Sequence, residues 1–253
     1  MKKKILLYIK RSTIIFALIA GFVMTFNQPL TNFFIESYHP IIYKDNKTSQ
    51  NKIPYKWDDV KPINLFTVIK ARIYHPEIHV IGGIYNEKLG LNVPIAEGVN
   101  NSIYALCAGT LKPNQKFGEG NFTLAAHNVP TSKNALFTPL YKKAKIGDIL
   151  YVTNFNKVYS YRIYAKSTIS AYNQTIFQNS KFSKLTLITC SDSNNTKRIV
   201  FQAKLVNTKS YNDVSKSTRA FLDAKYTVRY SRWDMLCLNP WDSSFKEKNL
   251  INK

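Results

Sequence analysis

One stretch in the second half of the chain limits the possible folds most, because two strand-like segments there flank a short polar loop. Residues 184–190 are mostly β-branched or apolar and end in Cys190, and residues 198–205 alternate in polarity after Arg198. Both patterns are typical of β-strands. The Ser-, Asn- and Asp-rich residues 191–197 predict a loop, and so short a loop favours an antiparallel return. The thiol and the guanidinium should therefore meet at adjacent strand ends.

A thiol beside a fixed cation suggests a nucleophile and an oxyanion stabiliser. A nucleophilic cysteine also needs a base, and one of the four histidines, His127, ends the strand-like run 121–127 before a polar, proline-containing loop. We expect Cys190 to attack as a thiolate, favoured by Arg198 and a His127 imidazolium, with His127 as general acid and base. Each residue also has a plainer interpretation: a sheet-edge cysteine, a capping or core histidine, and a surface arginine.

These residues resemble a known family. Residues 186–190, Thr-Leu-Ile-Thr-Cys, look like the TLxTC motif of sortases, and Arg198 lies eight positions later, where class A sortases have their arginine. His127 with residues 134–140 resembles the sortase histidine segment, except that Ala126 stands where the family most often has Gly or Ser. Three earlier segments also resemble class A sortases: residues 81–83, 91–95 and 108–111.

The resemblance, which covers roughly residues 75–207, implies a fold and a reaction. The implied fold class is mainly β: an eight-stranded sortase-type β-barrel with short helices, preceded by an N-terminal transmembrane helix. The short strands and turns by themselves leave barrel and sandwich open. Sortases are membrane-anchored cysteine transpeptidases that cleave an LPxTG-type sorting signal between Thr and Gly through a thioacyl intermediate. The expected partners are LPxTG-bearing surface proteins and a lipid-linked peptidoglycan amine of a Gram-positive cell wall, to which those proteins become attached.

The resemblance also implies where the sorting peptide binds. The Leu and Pro of the peptide need an apolar groove. The family's groove positions correspond here to four substrate-binding candidates: Ala125, Ile188, Thr189 and Val200. Barrel core is the plainer interpretation of Ile188 and Val200.

We expect neither a metal site nor a cofactor. Some class A sortases bind calcium through clustered acidic side chains, but Glu97 and Glu119 here have few acidic companions. His75 and His79 have the spacing of helical metal ligands, yet Pro76 argues against a helix and no third ligand is evident.

The N-terminus predicts a membrane anchor. Five basic residues lie within the first twelve, and residues 13–26 are uncharged and mostly apolar. That run is short for a span of about 20 residues, but residues 5–9 and 28–34 lengthen it. No small-x-small cleavage site follows cleanly, so we expect an uncleaved single-pass anchor, with a cleaved signal peptide as the alternative. The basic residues should stay inside the cell membrane, which leaves the catalytic domain extracellular.

The predicted organisation has four parts. They are a basic start with the transmembrane anchor (1–34), a membrane-proximal linker (35–62), the catalytic barrel (63–207) and a partly helical C-terminal extension (208–253). A short helix is predicted over residues 101–109, with a capping asparagine before it. Within the extension, apolar positions near helical spacing predict a helix over 212–230 that could pack on the barrel, followed by a loose tail from Trp233.

The charge of the chain narrows the classes of function. Thirty-six Lys and Arg against fifteen Asp and Glu give a net charge of +21, which favours anionic lipid, cell wall or nucleic acid as surroundings. We expect no nucleic-acid partner, because zinc-ligand spacings, aromatic RNA-binding boxes and basic zippers are missing from the sequence. Three cysteines leave at least one thiol unpaired. Cys107, in an apolar context, is expected to be buried, and Cys237 to be incidental.

Three other functions stay open. In a papain-type peptidase the cysteine precedes the histidine and begins a helix, whereas here His127 precedes Cys190 by 63 residues and Cys190 ends a strand. A cysteine peptidase that only hydrolyses, or a pilin-polymerising sortase, would use the same three side chains. A non-enzymatic basic module that binds cell wall or lipid would not need Cys190.

Overall fold

The computed structural model describes residues 2–43, 53–56, 60–73, 78–171, 173, 175–190 and 196–229. Three helices and one short strand come first: α1 (Lys2–Thr25), α2 (Asn27–Glu36), β1 (Ile41–Tyr43) and α3 (Leu65–Ile73). The next elements are β2 (Val80–Asn86), β3 (Leu91–Ala96), α4 (Asn101–Leu106), β4 (Ala108–Thr110), β5 (Asn121–Ala125), α5 (Thr138–Lys143), β6 (Ile149–Thr153) and β7 (Lys157–Ser170). The last are β8 (Lys184–Cys190), β9 (Lys197–Ser210), α6 (Lys216–Asp223) and β10 (Thr227–Arg229), with single 3₁₀ turns at Thr175–Phe177 and Tyr211–Asp213.

Eight strands close into a barrel, which confirms the predicted fold class. The strand order is β2-β3-β4-β5-β8-β9-β7-β6, and β6 pairs back onto β2. The β3–β4 and β5–β8 pairs are parallel, and the other pairs are antiparallel. Large side chains such as Phe122, Tyr161 and Phe201 fill the core and are about 1% exposed. Closure satisfies the strand edges within the barrel, so residues at the strand ends are held on a rigid frame.

The helix α4 ends earlier than predicted. Asn100 caps it as expected, since its Oδ1 accepts a hydrogen bond from Ile103 N at 2.8 Å. The helix predicted over residues 101–109 stops at Leu106, because the following residues pair with β3 and β5 as strand β4. Cys107 at this junction is fully buried, as its apolar context predicted.

The N-terminal apolar stretch forms one continuous helix. Within α1, the segment Lys4–Thr25 is long and apolar enough to cross a membrane. With a rise of 1.5 Å per residue, its length is about 33 Å. None of that segment is buried against the rest of the chain, and large apolar side chains such as Phe16 and Leu18 are exposed. An exposed apolar helix of this length fits a single-pass membrane anchor.

The C-terminal extension folds back and joins the barrel to the membrane-proximal segment. Helix α6, capped by Ser215, is followed by β10, which pairs in parallel with β1. Leu222 and Tyr226 are almost fully buried, and Lys225 Nζ donates a hydrogen bond to Glu36 O at 2.7 Å. This part of the extension therefore belongs to the folded unit.

The helix predicted over residues 212–230 was wrong in its extent. The helix ends at Asp223, and the β-branched Thr227 and Val228 extend along β1, which satisfies their backbone groups. Other predictions concern residues outside the described ranges: His75, Pro76, Cys237 and the tail from Trp233.

The burial of α6 predicts a large effect of one substitution. Leu222→Ala removes a side chain that is 0% exposed and leaves a cavity, so we expect a loss of about 2–4 kcal/mol of stability. Val206→Ala, a truncation of an apolar residue that is 50% exposed on β9, is the control and should cost under about 0.5 kcal/mol. Thermal unfolding of the detergent-solubilised chain measures both, and equal small shifts would mean that α6 does not pack as described.

Candidate active site

The hairpin of β8 and β9 brings the candidate nucleophile and the candidate cation together. The two strands pair antiparallel, with Cys190 opposite Arg198 and Ile188 opposite Val200, as the short loop predicted. Directly opposed residues have Cβ atoms about 4.5–5.5 Å apart. Cys190 is the last residue of β8, and both it and Arg198 are partly exposed. A thiol that solvent can reach and a guanidinium therefore share one edge of the barrel.

The candidate base reaches the same edge from the neighbouring strand. β5 pairs in parallel with β8, so the chain leaving β5 passes beside the end of β8. The Ala126 N–H donates to Ile188 O at 3.2 Å, and the Thr189 hydroxyl donates to Ala126 O at 2.9 Å. These two bonds fix the residue before His127 to the two residues before Cys190. His127 is consequently held at the side of Cys190 that lies away from β9.

The loop after His127 is tied by its own hydrogen bonds. Phe137 N donates to His127 O at 3.1 Å, which closes the loop at its base. Within it, Ser132 Oγ accepts from Ala135 N at 2.8 Å, and Thr138 Oγ1 accepts from Val129 N at 2.8 Å. The backbone that carries the imidazole is therefore fixed on both sides.

The surroundings of His127 favour the neutral imidazole. Burial lowers the pKa of His127 from its ordinary value of 6.5 to about 4, and the positive charge of Arg198 lowers it further in the same direction. A neutral ring can accept the Sγ proton of Cys190 during attack and then return a proton to the leaving group. The expectation of an imidazolium in the resting site is thus not supported.

A tyrosine that the sequence analysis did not single out also lies at this site. Tyr104, on α4, and His127 form a T-shaped ring pair, with ring centroids 5.6 Å apart and planes at 85°. Gly109 lies under the same ring, because a Cβ built there would come within 3.1 Å of Tyr104 Cε2. The residues around it, such as Ile103 and Leu106, are fully buried core. In the sequence Tyr104 is one more apolar residue of a core helix, and no local signal marks it.

The four predicted groove residues occupy two kinds of position. Ala125, Ile188 and Val200 form a row across β5, β8 and β9, and each is 6% exposed or less. Thr189 points to the other face of β8, where its hydroxyl donates a hydrogen bond to Ala126 O. The row lies one pleat away from Cys190 on the same face of β8, so it borders the site.

Three residues that were weighed as metal ligands, His79, Glu97 and Glu119, each lie next to one oppositely charged or hydrogen-bonding side chain. His79 Nδ1 lies 2.9 Å from Glu97 Oε2, and Glu119 lies 3.9 Å from the Lys116 ammonium at the surface. Within the described ranges, no cluster of three or more His, Cys, Asp or Glu side chains could hold a metal ion.

Known proteins resemble this chain over most of its length. A family model described as a sortase domain matches residues 84–206. Sortase A of Streptococcus agalactiae is 31% identical over 231 residues, which cover 87% of this chain and 93% of that protein. Sortase A of Listeria monocytogenes is 28% identical over 208 residues, which cover 79% of this chain and 93% of that protein. The solved structure of the Listeria monocytogenes sortase A has a TM-score of 0.52 at 29% identity, and the match covers 56% of this chain and 96% of that one.

The fold and these relatives together define the class of protein, a cysteine transpeptidase. The chain belongs to the sortase family. Sortases in general act on LPxTG-type surface proteins and on cell-wall substrates.

The lowered pKa of His127 predicts how stability depends on pH. Between pH 4 and 6.5 the unfolded chain binds a proton that the folded chain excludes, so stability should be fully present above about 6.5 and fall toward pH 4. Because the ring is partly exposed, we expect His127 to account for about 1–2 kcal/mol of this loss. Thermal unfolding at pH 7 and 4.5 tests this: His127→Gln should flatten the difference, and His39→Gln, a change at an exposed histidine, should not. An unchanged slope in His127→Gln would contradict the assignment.

The bond from Thr189 to Ala126 O predicts a selective loss of activity. Thr189→Val keeps the shape but removes the donor, so we expect about 1–2 kcal/mol of destabilisation and roughly tenfold slower peptide transfer, because the tether of the His127 segment is lost. Thr186→Val on the same strand is the matched control, since it removes the buried bond from Thr186 to Asn121 Oδ1 far from the site. Thermal unfolding and transfer rates separate the two effects. Equal losses of transfer in both variants would show that Thr189 has no special link to the site.

Proposed function

We propose that this chain is a membrane-anchored sortase that cleaves an LPxTG-type sorting signal between Thr and Gly and transfers the acyl part to a cell-wall amine. The catalytic residues are Cys190, His127 and Arg198. The observation that carries this proposal is the strand register that sets Cys190 opposite Arg198, together with the two hydrogen bonds that hold Ala126 against β8. Family membership supplies the reaction class.

The proposed chemistry follows from the charge state of each group. The neutral His127 takes the proton from Cys190 as the sulfur attacks the threonine carbonyl carbon, and the imidazolium then gives that proton to the departing glycine amine. Arg198 donates to the oxygen that becomes negative in this step, because its planar guanidinium stays charged at any working pH. In the second step the nitrogen of the incoming amine bonds to the acyl carbon and loses a proton to His127. The bond from the acyl carbon to the Cys190 sulfur breaks, and the sulfur takes that proton back from the imidazolium, which restores the neutral thiol and imidazole.

The fold also supports an acceptor that lies at the membrane. Only Phe26 separates the apolar helix α1 from α2. From α2, the Asn32 amide donates to Thr131 O at 3.1 Å, and Glu36 Oε1 accepts from the Ser132 hydroxyl at 2.6 Å. These contacts attach the loop that follows His127 directly to the membrane-proximal helix. The amine of a lipid-linked precursor, which is confined to the membrane surface, would therefore be within reach.

The proposed location is the cell membrane, with the barrel outside. The five basic residues before the apolar segment should remain on the cytoplasmic side. The net charge of +21 suits the anionic lipid and cell-wall polymers that the barrel would then face.

A direct assay tests the proposed function. The detergent-solubilised full chain is incubated with an LPxTG-type peptide, with and without triglycine as an amine acceptor, and the products and the intact protein are analysed by mass spectrometry. We expect an acyl adduct on Cys190 and a ligated product that forms faster than the hydrolysed one. Hydrolysis alone, unaffected by the amine, would favour the peptidase alternative, and the absence of both products would favour the binding module.

Single substitutions should separate the three roles. We expect Cys190→Ala to abolish the adduct, His127→Ala nearly to abolish transfer, and Arg198→Ala to slow transfer by roughly 10²–10³-fold, the usual cost of losing an oxyanion donor. The matched controls are Cys107→Ala, which removes the buried thiol, and Arg162→Ala, which removes an exposed guanidinium on β7. Both controls should keep at least about half of the wild-type rate per folded molecule. Substantial transfer by any of the three site variants would remove that residue from the mechanism.

A further inference from the structure

One buried hydroxyl, on the tyrosine that packs against His127, has no partner within the described part of the chain. Tyr104 is only 7% exposed, yet its Oη makes no hydrogen bond to any described residue. Buried tyrosine hydroxyls normally find a partner, because losing water without replacing its hydrogen bond costs free energy. A hydroxyl kept at that cost beside a candidate active site is a candidate for binding a ligand group.

The position of Tyr104 is fixed by what surrounds its ring. Its T-shaped contact with His127, at 5.6 Å between centroids, and the absence of a Cβ at Gly109 hold the ring between α4 and the site. Asn100 caps the first turn of α4, and this fixes the helix that carries the ring. The hydroxyl therefore cannot turn to solvent without moving the core of this end of the barrel.

The pKa of Tyr104 responds to the charges of Cys190 and Arg198. Burial raises the pKa of Tyr104 far above its ordinary value, negative charge on Cys190 raises it further, and Arg198 opposes that effect. The phenol accordingly stays protonated at any working pH, so it is available as a hydrogen-bond donor. The same interactions place the ring within electrostatic reach of both the sulfur and the guanidinium.

We propose that the Tyr104 hydroxyl binds the substrate by donating a hydrogen bond to a backbone carbonyl oxygen of the peptide that is being transferred, next to the bond that Cys190 attacks. This proposal rests on the proposed function. An extended peptide offers backbone carbonyls as its regular acceptors, and a protonated phenol can supply the matching donor. Tyr104 would thus be a substrate-binding residue that His127 and Gly109 hold in place.

Two other tyrosines with buried hydroxyls provide a matched control. Tyr226 and Tyr211 also have hydroxyls without a hydrogen-bond partner among the described residues. They pack against Phe155, with ring centroids 5.0 and 5.4 Å from it, at the junction of the barrel and the C-terminal extension. Tyr226→Phe therefore makes the same chemical change as Tyr104→Phe without touching the site.

The test compares the full chain with Tyr104→Phe and Tyr226→Phe in two reactions. For transfer from an LPxTG-type peptide to triglycine, we expect kcat/KM of Tyr104→Phe to fall about tenfold, the effect of one lost hydrogen bond, and that of Tyr226→Phe to stay within about twofold. For modification of Cys190 by methyl methanethiosulfonate, which has no peptide carbonyl, all three proteins should react at the same rate. Neither substitution should lower the thermal midpoint, because each removes a buried hydroxyl without a partner.

Three results would overturn the inference. Equal transfer by Tyr104→Phe and wild type would show that the hydroxyl does not contact the peptide. A parallel loss in the methanethiosulfonate reaction would show that Tyr104 acts on the thiol instead. If the wild type forms no acyl adduct at all, the proposed function itself fails and the inference fails with it, an outcome that differs from the first two because the wild type is then inactive.

Discussion

The site depends on one lateral constraint, the pairing of β8 with β5 on one side and with β9 on the other. The antiparallel pair sets Arg198 opposite Cys190, and the parallel pair brings the chain that leaves β5 past the same strand end. Paired strands hold the side chains of a site more precisely than a surface loop does. The geometry of the candidate site thus follows from this strand pairing, and the hydrogen bonds to Ala126 and to His127 O support the segment that carries the imidazole.

The same constraint governs the electrostatics. Partial burial of His127 and the positive charge of Arg198 lower the pKa of its imidazole, which favours a neutral thiol and imidazole over a preformed ion pair. A neutral pair costs less to bury than two charges, and it becomes charged only as the sulfur attacks. In the proposed mechanism Arg198, at the partly exposed edge, would face the charge that develops on the substrate.

Local patterns predicted the parts of the fold that depend on neighbouring residues. The hairpin of β8 and β9 follows from alternation and a short loop, and α4 begins where Asn100 predicts a cap. Contacts between distant segments leave no local trace. The β1–β10 pair joins Ile41 to Thr227, and this distant partner makes residues 227–229, which were predicted as helix, a strand. Thr189 and Tyr104 show the same limit. The Thr189 hydroxyl donates to Ala126 O, at the end of a neighbouring strand. Tyr104 has the sequence context of an ordinary core residue of a helix, and only the fold places it against His127.

The most direct test of the account is a crystal structure of the chain with a substrate-like peptide joined to Cys190 through a disulfide. The account predicts that the imidazole of His127 and the guanidinium of Arg198 both lie within direct or single-water hydrogen-bonding reach of the sulfur and of the first peptide carbonyl. A structure in which the sulfur points into the barrel core, or in which either group lies beyond that reach, would contradict it.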